Sequence, residues 1–230
     1  MKIGFEVEAF CMKNNQLSLV PDELPHDECG WLVEVRSEPH TDIEKAFALL
    51  KVELRQVKKK AQRLGYKLSY VPLMEVTRTL RVAAAREFGK GLIEYRNVYG
   101  HQTHRCSTKF GTASLHISFT NEKKFHYYSN ENDNDNENFK GRLLSWLGVL
   151  NPWRSQQFKY QGFIDYARIV VGLDRAFKAE IAAARRNPGF YEVKGDGRIE
   201  YRSLPNNVNL DKLEIELSRL LNESKEEKGY

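Results

Sequence analysis

The chain has 230 residues, 41% hydrophobic and 29% charged, with a formal net charge of +5. That length suits one domain with a sizeable core, and the composition is that of an ordinary soluble globular protein. The longest apolar runs fall far short of the ~20 residues of a membrane helix, which excludes a transmembrane span.

Acids interrupt the N-terminal MKIGFEVEAF where a signal peptide needs an unbroken apolar core, so a cytoplasmic protein with no membrane partner is expected. Cys11, Cys29 and Cys106 are few, odd in number and widely spaced, which favours reduced thiols over a disulfide framework or a zinc site. A pI of about 9.0 fits nucleic acid and an anionic nucleotide equally well. The basic residues are mixed with acids and no nucleic-acid motif stands out, so charge alone does not choose.

In chain order, residues 1–12 read as a strand, followed by a polar loop from Lys13 to Gly30. Residues 31–37 read as a second strand, ended by Pro39. TDIE at 41–44 is a capping box in which Thr41 caps a helix and Glu44 reaches back. Ile43, Ala46, Phe47, Leu50, Leu54 and Val57 continue at helical spacing, and Gly65 supplies the stop. The opposite face of this helix is rich in Lys and Arg, the pattern of a solvated surface.

Residues 66–73 read as a strand, 79–88 as a short helix, and 95–109 as an irregular polar and aromatic stretch, either a substrate-pocket wall or a surface loop. TASLHISFT (112–120) alternates as a strand, and NENDNDNEN (130–138) is a mobile polar loop. That loop lacks the glycine and closing glutamate of a calcium loop. Residues 139–150 and 160–186 read as helices, and FYEVKGDGRIEYRSL as a hairpin turning at Gly195-Asp196-Gly197. Asn209 caps a last helix to Glu223, and the tail 224–230 is expected to fray. This order predicts an α+β fold, a predominantly antiparallel sheet with helices packed on one face.

Three of these strands share a charge pattern. Glu6 and Glu8, then Glu34 and Arg36 (with Glu38), then Arg198, Glu200 and Arg202 sit two residues apart. Residues at i and i+2 share one strand face, so the charges go one way and Phe5/Val7, Val33/Val35 and Ile199/Tyr201 go the other. Brought together, acids about 7 Å apart repel by roughly 2 kcal/mol each at an effective dielectric near 20. Glu6, Glu8, Glu34 and Glu200 would then need compensating charge, from the arginines or from Mg²⁺ or Mn²⁺. Taken singly, each signal has a plainer reading: Glu-x-Glu an exposed strand face, Glu-x-Arg a surface salt bridge, His116 a hydrogen-bonded structural histidine.

In combination, GFEVE, then VEVRSEP before a helix, then ASLHISF, then RIEYRSLP resemble the carboxylate–amine ligases of the glutamine synthetase and glutamate–cysteine ligase superfamily. They are especially similar to the small phage-associated COOH–NH2 ligases. The resemblance covers residues 1–60, 110–120 and 189–208, and RIEYR is its most specific part. It implies a glutamine synthetase catalytic-domain-like fold over residues 1–230. It also implies Glu6, His116 and Glu200 as ligands of one metal ion, and Glu8 and Glu34 as ligands of a second. Arg198 and Arg202 would hold phosphate and an acyl-phosphate, with Lys194 beside them at the nucleotide and Arg36 in the same electropositive wall.

ATP and two or more Mg²⁺ (or Mn²⁺) ions would be the cofactors. The substrates would be a small-molecule or peptide carboxylate and an amine. The second metal set is one carboxylate short of the fuller pattern, with Glu38 or Glu94 as replacements, and Ser118 stands where the small ligases often carry a second histidine. Two other readings compete. One is a non-catalytic nucleotide- or peptide-binding protein of the same fold. The other is a basic nucleic-acid-associated protein using the cationic face of the 41–65 helix.

Overall fold

A computed structural model describes residues 1–26, 30–80, 82, 94–97, 102–104, 110–120, 161–194 and 198–226. The fold is α+β. Its strands are β1 (Lys2–Lys13), β2 (Gln16–Leu17), β3 (Leu32–Arg36), β4 (Lys67–Ser69), β5 (Leu73–Glu75), β6 (Glu94–Asn97), β7 (Gln102–His104), β8 (Phe110–Thr112), β9 (Ser114–Thr120), β10 (Phe190–Val193) and β11 (Ile199–Pro205). Among the described residues, its helices are α1 (Ile43–Arg63), α2 (Gln161–Ala176), α3 (Lys178–Ala183) and α4 (Leu210–Glu226), and residues 78–80 are also helical. Among the described residues, no helix is long and apolar enough to cross a membrane.

Every strand pairing described is antiparallel. A nine-stranded sheet runs β2-β1-β9-β11-β10-β6-β7, with β3 and β4 also paired to β1. The long β1 organises it. One edge takes β3, while the other takes β9 along Lys2–Val7 and then β4 along Phe10–Met12. The hairpin from β1 to β2 turns through Asn14 and Asn15, both with positive φ (50° and 61°), the backbone a two-residue type I′ loop requires.

One face of this sheet carries the main core. Ile3, Phe5 and Val7 of β1, Leu115, Ile117 and Phe119 of β9, and Ile199 and Tyr201 of β11 pack against helix residues. Phe47 and Leu50 come from α1, Ile169 and Leu173 from α2, and Leu213 and Leu217 from α4. A Cβ added at Gly172 of α2 would lie 2.3 Å from Leu220 Cδ2, so glycine there permits the close approach of α2 and α4. The period-2 alternation of β1 therefore sends its odd residues to the helices and its even residues to the other face.

Several local expectations shift. The α1 cap is Asp42, whose Oδ1 accepts from Lys45 N at 3.1 Å, instead of Thr41. Asp is as good a cap as Thr, and the first turn simply starts one residue later. Gly65 ends the helix as expected, with φ +80° and the Tyr66 N–H donating to Ala61 O. The stretch 66–73 is two strands, because Pro72 has no N–H for a ladder; β4 stays on β1, while β5 leaves to pair with β8. The strand expected over 112–120 likewise breaks at Ala113 into β8 and β9.

The long helix expected over 160–186 is divided at Phe177, whose side chain is fully buried. Residues 95–109 are not wholly irregular: β6 and β7 form an antiparallel pair, and β10 joins β6. Helix α4 begins after Asn209, whose side chain accepts from Asp211 N and Lys212 N. It runs on to Glu226, three residues past the Glu223 expected as its end. The loop 130–138, the helix over 139–150, most of the helix over 79–88, Cys29 and Cys106 lie outside the described residues. Cys11 is a free, buried thiol whose pKa is pushed up by burial.

Candidate functional site

The even face of β1 meets like-facing residues of its neighbours. Glu6 is opposite Arg36 on β3 and opposite His116 on β9, Glu8 is opposite Glu34, and Ser118 is opposite Glu200 on β11. The fold thus brings Glu6, Glu8, Glu34, His116 and Glu200 to one side of one sheet. All are buried, His116 completely and Glu200 to 1% exposure. An exposed Glu-x-Glu face and a plain surface salt bridge do not describe this arrangement.

His116 is the hub. Its Nδ1 lies 2.7 Å from Glu6 Oε1 and 3.5 Å from Glu200 Oε1, and its Nε2 lies 3.7 Å from Glu8 Oε1. Glu6, His116 and Glu200 each offer a ligand atom within 4.8 Å of the others, a grouping able to hold a metal ion. Octahedral Mg²⁺ at about 2.0–2.1 Å separates neighbouring ligand atoms by roughly 3 Å and opposite ones by roughly 4 Å, so small side-chain adjustments suffice. Two carboxylates with one imidazole also suit Mn²⁺.

The Ser114 hydroxyl joins this cluster, donating to Glu8 Oε2 at 2.5 Å with its oxygen 2.8 Å from His116 Nε2. The Ser114 backbone N–H gives Glu8 a second bond at 2.8 Å. Serine, histidine and carboxylate in line could suggest a nucleophile triad. Ser114 is only 2% exposed, however, and its proton is directed at Glu8 and not at the imidazole, so it is a holder of Glu8.

Cations close both flanks. On the β3 side, Arg36 Nε donates to Glu6 Oε2 at 3.0 Å, and its Nη2 contacts Glu34. On the β10 side, Arg202 Nη1 donates to Glu192 Oε2 at 2.7 Å and also contacts Glu200. Lys194 Nζ lies 2.9 Å from Glu192 and 3.4 Å from Glu200. Arg198, one residue before β11, is half-buried, and its carbonyl accepts from the Lys194 N–H. Glu38 is exposed beyond the end of β3, outside the buried cluster, and the side chain of Glu94 lies outside the described residues.

Crowding splits the acids electrostatically. Burial and the neighbouring Glu6 charge push Glu34 up to about 8, against the pull of Arg36. Glu6 goes the other way: burial would raise it, but the His116 hydrogen bond and the charges of His116, Arg36 and Arg202 hold it well below the ordinary carboxylate range. One acid of this neighbouring pair keeps its proton near neutrality so that the other can stay ionised.

Glu192, Ser114 and Asn206, whose Nδ2 donates to Glu8 O at 2.9 Å, escaped the sequence reading. Glu192 was within reach: a hairpin centred on Asp196 puts residue 192 opposite 200, which is the observed register. Ser114 and Asn206 carried no such signal, since their partners lie on distant segments. No known family model matches this chain, and no curated protein matches it.

Proposed function

We propose that this protein is an ATP- and Mg²⁺- or Mn²⁺-dependent carboxylate–amine ligase that forms an amide or peptide bond through an acyl-phosphate. The observation that carries the reading is the convergence of Glu6, His116 and Glu200 from separate strands, with Glu8 and Glu34 alongside and Arg36, Arg202 and Lys194 around them. Four buried acids on one face are costly to the fold unless a cation is meant to join them. The bound metal would supply Lewis-acid charge neutralisation for phosphoryl oxygens. Glu6, His116 and Glu200 would hold one ion, and Glu8 and Glu34 a second. Arg198, Arg202 and Lys194 would draw the transferring phosphoryl group toward β11 and stabilise its charge.

In this reaction the substrate carboxylate oxygen attacks the γ-phosphorus and ADP leaves. The amine then attacks the acyl carbon, the C–O bond to phosphate breaks with its electron pair leaving on phosphate, and an amine proton is released. A panel of amino acids and peptides, incubated with ATP and Mg²⁺ or Mn²⁺ and read by nucleotide chromatography, tests it. ADP and phosphate should form only with a carboxylate acceptor, whereas AMP as the sole product would sink the acyl-phosphate route. A binding protein of this fold would instead show nucleotide-dependent thermal stabilisation without turnover.

A further inference from the structure

The two cation clamps are built differently. Arg202, with its side chain 13% exposed, is fixed between Glu192 and Glu200, and Lys194 backs the same two acids. Among the described residues Arg36 alone joins Glu6 and Glu34, and its side chain is 70% exposed although both carboxylates are only 10% exposed. The acids cannot turn to solvent, but the guanidinium is already mostly in it. A largely hydrated partner gives up an ion pair at little cost to itself. The buried carboxylates it leaves would be strongly destabilised unless they held a proton or another cation took its place.

We infer that Arg36 is a displaceable counter-ion, standing on Glu34 in place of the second divalent cation that Glu34 and Glu8 would hold beside Glu6, and swinging out when that cation binds. This rests on the metal reading of the site given above. Arg202 cannot play the same part, because its half-buried guanidinium answers the directly opposed Glu192 and Glu200. The site thus has a permanent cation on one flank and an exchangeable one on the other. A second ion must compete with Arg36 and therefore binds more weakly than the first.

The test is Mn²⁺ binding to metal-stripped wild type, Arg36→Gln and Arg36→Lys, followed by calorimetry and by the paramagnetic resonance of free Mn²⁺. Arg36→Gln should bind the second ion about tenfold more tightly, since a like charge has been removed from beside it. Arg36→Lys, which keeps the charge, should stay near wild type. In chelator Arg36→Gln should melt below wild type, and Mn²⁺ should raise its melting temperature more. Unchanged or weaker second-ion binding in Arg36→Gln overturns the inference, as does a single bound ion in every protein. If none of the three binds Mn²⁺, the metal reading itself falls and takes the inference with it.

Discussion

Glu192 stands directly across the β10–β11 ladder from Glu200, and Arg202 Nη1 reaches both. Like charges opposite one another on a sheet repel, so this pair depends on its cation. Arg202→Met should lower stability by about 3 kcal/mol, the order found on breaking a buried ion pair. Glu192→Gln added to that variant should recover part of the loss. Urea unfolding of both proteins checks this; a fully stable single variant would show that Lys194 suffices.

Metal binding should depend on the residues around His116 and not on nearby surface acid. Glu200→Gln and His116→Ala should each weaken Mn²⁺ binding by more than the roughly 100-fold limit seen for outer partners of metal ligands. Glu38→Gln, altering an exposed side chain past β3, should leave affinity unchanged. Titration calorimetry on the same preparations gives the comparison.

The raised Glu34 makes stability pH-dependent in a defined direction. Its folded value of about 8 exceeds the ordinary 4.5, so the folded chain binds this proton more tightly than the unfolded chain. The contribution is complete below about pH 4.5 and is lost as pH rises toward about 8. Glu6, held low, acts oppositely: its contribution is present above its ordinary value of 4.5 and is lost on further acidification. In chelator, the melting temperature should therefore decline between about pH 5 and 8, and Glu34→Gln should flatten that decline. A slope unaltered by the substitution would assign the proton elsewhere.

On the core face, the Tyr201 hydroxyl donates to Asp174 Oδ1 at 2.6 Å, and both residues are buried. Tyr201→Phe removes the donor but keeps the ring, so it should cost about 1–3 kcal/mol. Because Tyr201 faces away from the acids, Mn²⁺ affinity should not change. A parallel fall in both quantities would mean that the core bond also sets the position of Glu200.

Local sequence determined which way side chains point. Strand alternation put Glu6 and Glu8 on one face and Phe5 and Val7 on the other, and the 3.6-residue spacing marked the buried stripe of α1 through Ala46, Phe47 and Leu50. A hairpin centred on Asp196, as the sequence suggests, already opposes Glu192 to Glu200, the register of the described ladder; residues 195–197 themselves lie outside the described residues. Each of these is a short-range consequence of backbone geometry.

Tertiary structure decided what those faces meet. That β1 lies between β3 and β9, with β11 beyond β9, is a long-range pairing that no local pattern encodes, and it alone turns scattered acids into a cluster around His116. It also chose the compensating groups, since Ser114 is 106 residues from the Glu8 it holds. The break at Pro72 was set by a missing N–H, but the destination of β5 was set by β8. Burial completed the difference: the same Glu-x-Glu that would be a hydrated edge on an open sheet becomes, when enclosed, a set of charges that must share protons and cations.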